Sequence, residues 1–486
     1  MAKVTTIIDI GSNSMRMVVC KKSSRFGFSI INETKSRVKI SQGSYTSNSY
    51  LQESAMKRAY DCLESFLDIS KSLKSRKIFV IATSALRDAP NSKEFLSKVS
   101  KNLRLNIKII DGIKEAYFGG IAALNLLFIK DFMTIDIGGG STEFCFVKNR
   151  KIEKSISLDL GTIRLHELYF NKNDIKGAKN LILDQLDNIL EYTNDIPKTI
   201  VGIGGTIRAL SKIVLKKIDH PLDILHAFEY NIKDIRPILL DVLDIKDSKD
   251  FKKIGIKKDR YDTILEGSLI FNTILEKFEI DNIITSRAGV REGVYLNDIL
   301  RTSNYRFPNN FNVSVRNVLD KFQIDDKQNG YLGKNIAKIF DILNKDFKID
   351  QEYKRLLIIA SKLHCICITL DMSNIFDFIL HSLKYDFSHS SRVLVAYLIK
   401  YSKKSLSNSV DIEKYKRLLP DIKVLEYLTF IMNLNLILAS DFRKTSYTYV
   451  YEDDILKIYN ENISYLVKTN IDKIDLPNSI KLKLID

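Results

Sequence analysis

Apolar and polar positions over the first 300 or so residues switch between two periods. Short runs dense in β-branched residues, at 4–10, 16–20, 77–81, 107–110, 132–137 and 199–203, read as strands. Between some of them apolar positions recur at helical spacing. In 53–73, Ala55, Met56, Ala59, Leu63, Phe66 and Leu67 fall on one face, which predicts an amphipathic helix. The alternation predicts α/β architecture, with ligands met by loops at strand ends. After about residue 300, glycines and strand signals thin out. Pro308-Asn309-Asn310 reads as a linker. Helical periods at 313–322, 332–344, 353–370, 374–383, 390–403 and 411–434 then predict an all-helical C-terminal domain.

A chain of 486 residues has room for two to four domains. Apolar residues at 45% and charged residues at 28% fit a soluble globular protein. No uncharged apolar stretch reaches the length of about 18 residues that a membrane span needs, so no membrane partner is expected. The N-terminus runs straight into a strand carrying Asp9, unlike a signal peptide, and the expected compartment is the cytoplasm. The five cysteines, Cys20, Cys62, Cys145, Cys365 and Cys367, form no CxxC pair, which argues against a disulfide framework or structural zinc. The net charge of +16 is spread along the chain. It fits a solvated Lys-rich surface or attraction for a polyanion. No nucleic-acid motif accompanies it, so no specific nucleic-acid partner is expected.

The candidate chemistry lies in the turns. One strand runs into Asp9-Ile10-Gly11-Ser12-Asn13-Ser14 and another into Asp136-Ile137-Gly138-Gly139-Gly140-Ser141-Thr142, and each turn leads to a further strand. Without a Cβ, backbone N–H groups can converge on a phosphate, and Ser hydroxyls add donors. An aspartate beside a phosphate is unfavourable unless a cation separates them, so Asp9 and Asp136 point to Mg²⁺. The echo suggests duplicated halves with one phosphate loop each. A third turn, Val201-Gly202-Ile203-Gly204-Gly205-Thr206, predicts a helix over 206–216 with Thr206 as its N-cap and an anion at its N-terminus. A ligand-free strand-to-helix turn would look the same. In Ile110-Asp111-Gly112-Ile113-Lys114-Glu115, Glu115 is expected in a first helical turn, where a carboxylate suits the dipole with no catalytic role.

The three turns together resemble the actin, sugar-kinase and heat-shock-chaperone superfamily. With Arg16, the 82–89 segment Ala-Thr-Ser-Ala-Leu-Arg-Asp-Ala, Gly112 to Ala116, Glu143, the 157–165 segment and Gly289-Val290-Arg291-Glu292-Gly293, they more closely resemble the exopolyphosphatase/guanosine pentaphosphate phosphohydrolase (Ppx/GppA) family. The resemblance implies an α/β, duplicated actin-like (ribonuclease H-like) core of two lobes, 1–124 and 125–303, followed by a helical domain over 310–486. It also implies hydrolysis of the terminal phosphate of polyphosphate or guanosine pentaphosphate (pppGpp), with Mg²⁺ or another divalent cation such as Mn²⁺. Glu115 matches the base that activates water, and Arg87 an arginine near the reacting phosphate. Asp136 and Glu143 match the acids that hold metal or water. Asp9, Ser12, Asn13, Ser14, Gly138, Gly139, Gly140, Ser141, Gly204, Gly205, Thr206 and Arg291 match the phosphate-binding set.

The C-terminal part resembles metal-dependent HD phosphohydrolases, with His364, His381 and His389 near the expected histidines. Cys365 stands where the metal-binding aspartate would be, so this domain is expected to be non-catalytic, serving as a polyanion channel, a homodimer contact or both. Two rival readings share the loops: a kinase of the same superfamily, and a nucleotide- or polyphosphate-sensing module without turnover. Glu115 with the Arg87 segment argues against the first, and the intact set of Glu115, Asp136 and Glu143 against the second.

Overall fold

The computed structural model describes residues 3–193, 195–322, 326–368, 370, 372–402, 410–477 and 479–485. They fall into two compact units, Met1–Phe311 and Asn312–Asp486. The first unit is mixed α/β and holds two sheets. One contains β1 (Val4–Ile10), β2 (Met15–Lys22), β3 (Phe28–Ser36), β4 (Lys77–Ala82) and β5 (Ile107–Ile109), in the order β3-β2-β1-β4-β5. The other contains β6 (Phe132–Ile137), β7 (Thr142–Lys148), β8 (Lys151–Leu158), β9 (Thr199–Ile203), β10 (Phe228–Asn231) and β11 (Asn282–Thr285), in the order β10-β11-β9-β6-β7-β8. In each sheet a first strand pairs antiparallel with its hairpin partner and parallel with a later strand: β1 with β2 and β4, β6 with β7 and β9. Such central strands are covered on both faces, which explains their unbroken apolar runs.

Each sheet has its own core. The Glu53–Ser72 helix buries Ala55 and packs Ala59, Leu63 and Phe66 with Ile8, Met17 and Val80 of the first sheet. The Ile175–Tyr192 helix buries Ala178, Ile182, Leu186 and Ile189 with Met133, Ile135 and Phe144 of the second. These positions recur three or four residues apart, as a helix facing a sheet requires. Two further helices, Gly112–Leu126 and Val290–Ile299, cross so closely that a Cβ on Gly293 would overlap the Phe118 carbonyl. That contact fixes the helix carrying Glu115 against the one carrying Arg291.

In the second unit the helices Val313–Phe322, Asp326–Phe347, Glu352–Leu363, Met372–Ser382, His389–Lys400 and Ile422–Leu438 cover most of the expected periods. Thr369 and Lys403, within two of those periods, lie outside the described residues. Two expectations are corrected. The 411–434 period is split into Val410–Tyr415 and Ile422–Leu438, with Pro420 between them. Proline lacks the N–H that would continue the ladder and pushes its predecessor out of the helical region. Nor is the unit all-helical, because β12 (Thr448–Glu452), β13 (Ile455–Tyr459) and β14 (Lys481–Ile485) form a three-stranded sheet. Leu456 and Ile458 are buried between less buried neighbours, a period of two. His364 opens a short 3-10 turn, His381 lies near the end of its helix, and His389 begins the next helix and is buried.

Candidate active site

The two hairpins bring acidic groups to one place. In the β1–β2 hairpin Asp9 lies opposite Arg16, and in the β6–β7 hairpin Asp136 lies opposite Glu143. Cross-strand partners sit about 5 Å apart at Cβ, so Asp136 and Glu143 are neighbours by register alone. Asp111 caps the Gly112–Leu126 helix by accepting from Lys114 N at 2.6 Å, and this places Glu115 in the first turn. Between the turns lies a cavity of about 130 Å³, lined by Asp9, Ser12, Glu115, Asp136, Glu143 and Arg208 among others.

The turns are held by their own bonds. Gly138 N donates to Ser141 O at 2.9 Å, while the carbonyls of Gly138 and Gly139 accept from Thr162 and Ile163 at 3.0 and 2.8 Å. Those carbonyls thus face the N-terminus of the Thr162–Leu168 helix. Ser12 Oγ lies 3.0 Å from Ser84 Oγ. A Cβ on Gly139 would lie 2.8 Å from Ser12 Cβ, so the two phosphate-loop candidates nearly touch.

Charge crowding dominates the electrostatics. Burial, with Asp136 adding repulsion, pushes Asp9 up to about 6 despite Arg291 and Arg16 nearby. Burial raises Asp136 as well. Glu143 is pushed up to about 8, first by burial and then by Asp136, against the bonds it accepts from Ser141 and Ser157. Glu115 is raised by burial, then by Glu143, Asp9 and Asp136, and only partly relieved by Arg87. Its Oε2 is buried without a hydrogen-bond partner. Burial lowers Arg208 to about 9, with Arg16 adding to the effect.

Of the residues expected from sequence, Asp9, Ser12, Asn13, Ser14, Glu115, Asp136, Gly138, Gly139, Ser141, Glu143, Gly204, Gly205, Thr206 and Arg291 line the cavity. Gly140 does not. It packs against the Tyr45 hydroxyl and Ser84, and its carbonyl accepts from Arg164 Nε at 2.9 Å. Arg87 also stands outside the lining. Its Nη1 lies 3.6 Å from Glu115 Oε2 and donates to Ile110 O at 3.2 Å. Arg291 reaches the cavity wall but is occupied by Glu33, 3.1 Å from its Nη2. Thr206 is not an N-cap: the helix begins at Gly204, whose φ of +78° is open to glycine, and Ile203 takes the cap position. Sequence reasoning missed Thr83, Ser84, Arg208, Arg260, Thr263 and Glu292 as wall residues. Arg208 had a legible signal, one helical turn after Gly204, whose carbonyl accepts from its Nε at 2.6 Å.

A divalent cation suits this donor set. Among the described residues no three His, Cys, Asp or Glu side chains form a ready metal cluster. Mg²⁺ needs none, since it retains waters and takes one or two carboxylates plus substrate phosphate oxygens. The Glu115 oxygen that lacks a hydrogen bond and the raised carboxylates are what a bound cation would relieve.

Fold and cleft define an α/β protein whose glycine–serine turns, buried acids and arginines converge on a space suited to phosphate groups. Comparison makes that class specific. The chain belongs to the Ppx/GppA phosphatase family, whose model matches residues 18–302. The Asp9 turn lies just before the matched span. A bifunctional 3-dehydroquinate synthase/phosphatase of Fusobacterium nucleatum is 30% identical over 296 residues, 57% of this chain and 44% of that protein. A guanosine-5'-triphosphate,3'-diphosphate pyrophosphatase of Pseudoalteromonas translucida is 26% identical over 359 residues, 71% of this chain and 69% of that protein. The chain thus spans less than half of the first of these relatives. The crystal structure of an Aquifex aeolicus family member is 27% identical with a TM-score of 0.53, covering 62% of this chain and 99% of that one. No helix among the described residues is long and apolar enough to cross a membrane.

Proposed function

We propose that this chain is a phosphohydrolase that releases the terminal phosphate of inorganic polyphosphate, or converts pppGpp to ppGpp. The observation that carries the reading is Glu115: it lines a cleft walled by two glycine–serine turns, and its carboxylate has an ion pair with Arg87 at 3.6 Å but one buried oxygen without a hydrogen bond. In the reaction a water oxygen attacks the terminal phosphorus, its proton passes to Glu115, and the bridging P–O bond breaks. The chain leaves one phosphate shorter. Phosphoryl transfer asks mainly for positioning and neutralisation. The Asp9 to Ser14 turn, Gly138, Gly139, Ser141 and the Gly204 to Thr206 turn would hold the phosphates, with Arg208 beside them. Arg87 would act as a positioning residue, holding Glu115 from behind. Asp136 and Glu143 would hold Mg²⁺ or Mn²⁺, which when bound neutralises phosphate charge and lets Glu115 lose its proton near neutral pH.

The same reading treats the two sheets as duplicated actin-like lobes, 1–124 and 125–303, supported by the shared order of a hairpin followed by parallel strands. It takes the C-terminal unit to be a degenerate relative of HD domains, the protein to be a homodimer and its compartment to be the cytoplasm. Five free cysteines fit the last. The test is phosphate release from long-chain polyphosphate and from pppGpp in ¹⁸O-enriched water, with Mg²⁺ or with EDTA. One labelled oxygen per released phosphate, only with the cation, is expected. Phosphate transfer that requires another acceptor would make the protein a kinase.

A further inference from the structure

We propose that residues 39–45 form a strap that ties the two glycine–serine turns together, and that Glu167 is the positioning residue that sets its reach. This deepens the phosphohydrolase reading and rests on it. One end of the strap is bonded to the first turn. Lys39 N donates to Asn13 O at 3.1 Å, and Ser41 N donates to Ser12 O at 3.2 Å. At the other end the Glu167 carboxylate accepts from Gly43 N at 2.7 Å through Oε1 and from Tyr45 N at 3.0 Å through Oε2. Glu167 belongs to the Thr162–Leu168 helix, whose Thr162 and Ile163 amides donate to the carbonyls of Gly138 and Gly139. A path of hydrogen bonds and one short helix therefore runs from the first turn, through the strap and Glu167, to the second.

Side chains reinforce the same path. The Tyr45 hydroxyl packs against Gly140, and Arg164 lies over the Tyr45 ring, 4.8 Å from its centroid. Arg164 also donates from Nη2 to Asp88 Oδ2 at 2.9 Å. Lys39 Nζ lies 2.6 Å from Asp262 Oδ2, next to Thr263 of the cavity wall. Gly43 has a φ of +73°, which glycine adopts without strain, and the bend lets two amides meet one carboxylate. None of residues 39–45 lines the cavity, so the strap acts through the turns and does not touch substrate. Glu167 is buried, and bonds from amides to an ionised carboxylate are roughly twice as strong as neutral ones, which makes it a stiff anchor. Either turn alone can hold a phosphate group. The reacting arrangement needs both at once, so losing the strap falls on the transition state more than on binding.

The experiment compares wild type with Glu167→Gln in two measurements, each made well below the melting temperature of both proteins. The first is steady-state hydrolysis of long-chain polyphosphate and of pppGpp with Mg²⁺. The variant should lose about 10–100-fold in kcat, with KM within about threefold, because the turns that hold the reacting group are no longer set against each other. A kcat within about twofold of wild type, or a loss confined to KM, overturns the proposal. The second is hydrogen exchange without ligand. A merely local support would speed exchange at Gly43 and Tyr45 alone. The strap predicts faster exchange also at Gly11 and Gly138, whose amides close the two turns on Ser14 O and Ser141 O at 3.3 and 2.9 Å. Exchange that rises only at residues 43 and 45 overturns it. Should Glu167→Gln fail to fold, Glu167→Asp, which keeps the charge but is one methylene shorter, carries both measurements with the same criteria. If wild type hydrolyses neither substrate, the phosphohydrolase reading fails, and the exchange measurement alone decides the strap.

Discussion

Glu143→Gln should make the cation-free protein more stable, and only at neutral to alkaline pH. Glu143 is buried, and its pKa is pushed up from 4.5 to about 8, by burial first and by Asp136 next. Between those values the folded protein keeps a proton that the unfolded chain releases. Stability therefore falls as pH rises through this window, and the whole penalty is present above about pH 8. At about 1.4 kcal/mol per pKa unit the penalty is on the order of 5 kcal/mol. Glutamine keeps the shape and can still accept from Ser157 Oγ, which donates to Glu143 Oε1 at 2.9 Å. Exchanging a charged acceptor for a neutral one returns about 1–2 kcal/mol. The net gain near pH 9 is then on the order of 3 kcal/mol, or roughly 5–10 °C in Tm. Thermal unfolding in EDTA at pH 4, 7 and 9 measures it. Mg²⁺ should narrow the gap by stabilising wild type more. A variant no more stable than wild type at pH 9, or equally stabilised at pH 4, would refute the charge-crowding argument.

Other outcomes follow from single contacts. Gly139→Ala puts a methyl 2.8 Å from Ser12 Cβ and forces the two turns apart. It should lower kcat/KM about 10–100-fold, because small misplacements of reacting groups are expensive, and overpacking should destabilise by about 1–3 kcal/mol in thermal unfolding. Glu167 accepts from Gly43 N at 2.7 Å and Tyr45 N at 3.0 Å. Glu167→Ala leaves two amides without partners and should destabilise by about 2–3 kcal/mol. Faster hydrogen exchange at residues 43 and 45 is the check. His166 has a pKa raised chiefly by its bond to Glu266, with 2.6 Å between Nδ1 and Oε1. That stabilisation is complete below the unfolded pKa of about 6.5 and is lost as pH rises through the higher folded value. His166→Ala should therefore lose more Tm at pH 5.5 than at pH 9, and an equal loss at both would contradict it.

Much of this was legible in the sequence because it is local. The strands at 4–10, 132–137 and 199–203 came from dense β-branched runs, and the glycine–serine turns from composition at strand ends. What escaped is tertiary. Glu33 and Glu167 hold Arg291 and the 43–45 loop from hundreds of residues or a whole sheet away, and no spacing rule reaches that far. Gly140 shares its motif with Gly139, yet the hairpin turns it toward Tyr45 instead of the cleft. In the sheet near the C-terminus, β12 and β13 form an antiparallel hairpin across Asp453-Asp454, a turn that the sequence reading passed over. The pairing that completes it joins β13 to β14 in parallel across an intervening helix, Tyr465–Ile471. Parallel pairing leaves no hairpin signal.

The central claim is that Glu115 is the base. Single-turnover phosphate release with saturating Mg²⁺, wild type beside Glu115→Gln, tests it most directly. The variant should bind polyphosphate or pppGpp about as tightly as wild type and release phosphate about 10²–10⁴-fold more slowly, the span expected for loss of a general base. Equal release rates in the two proteins would contradict the assignment and with it the mechanism built on this cleft.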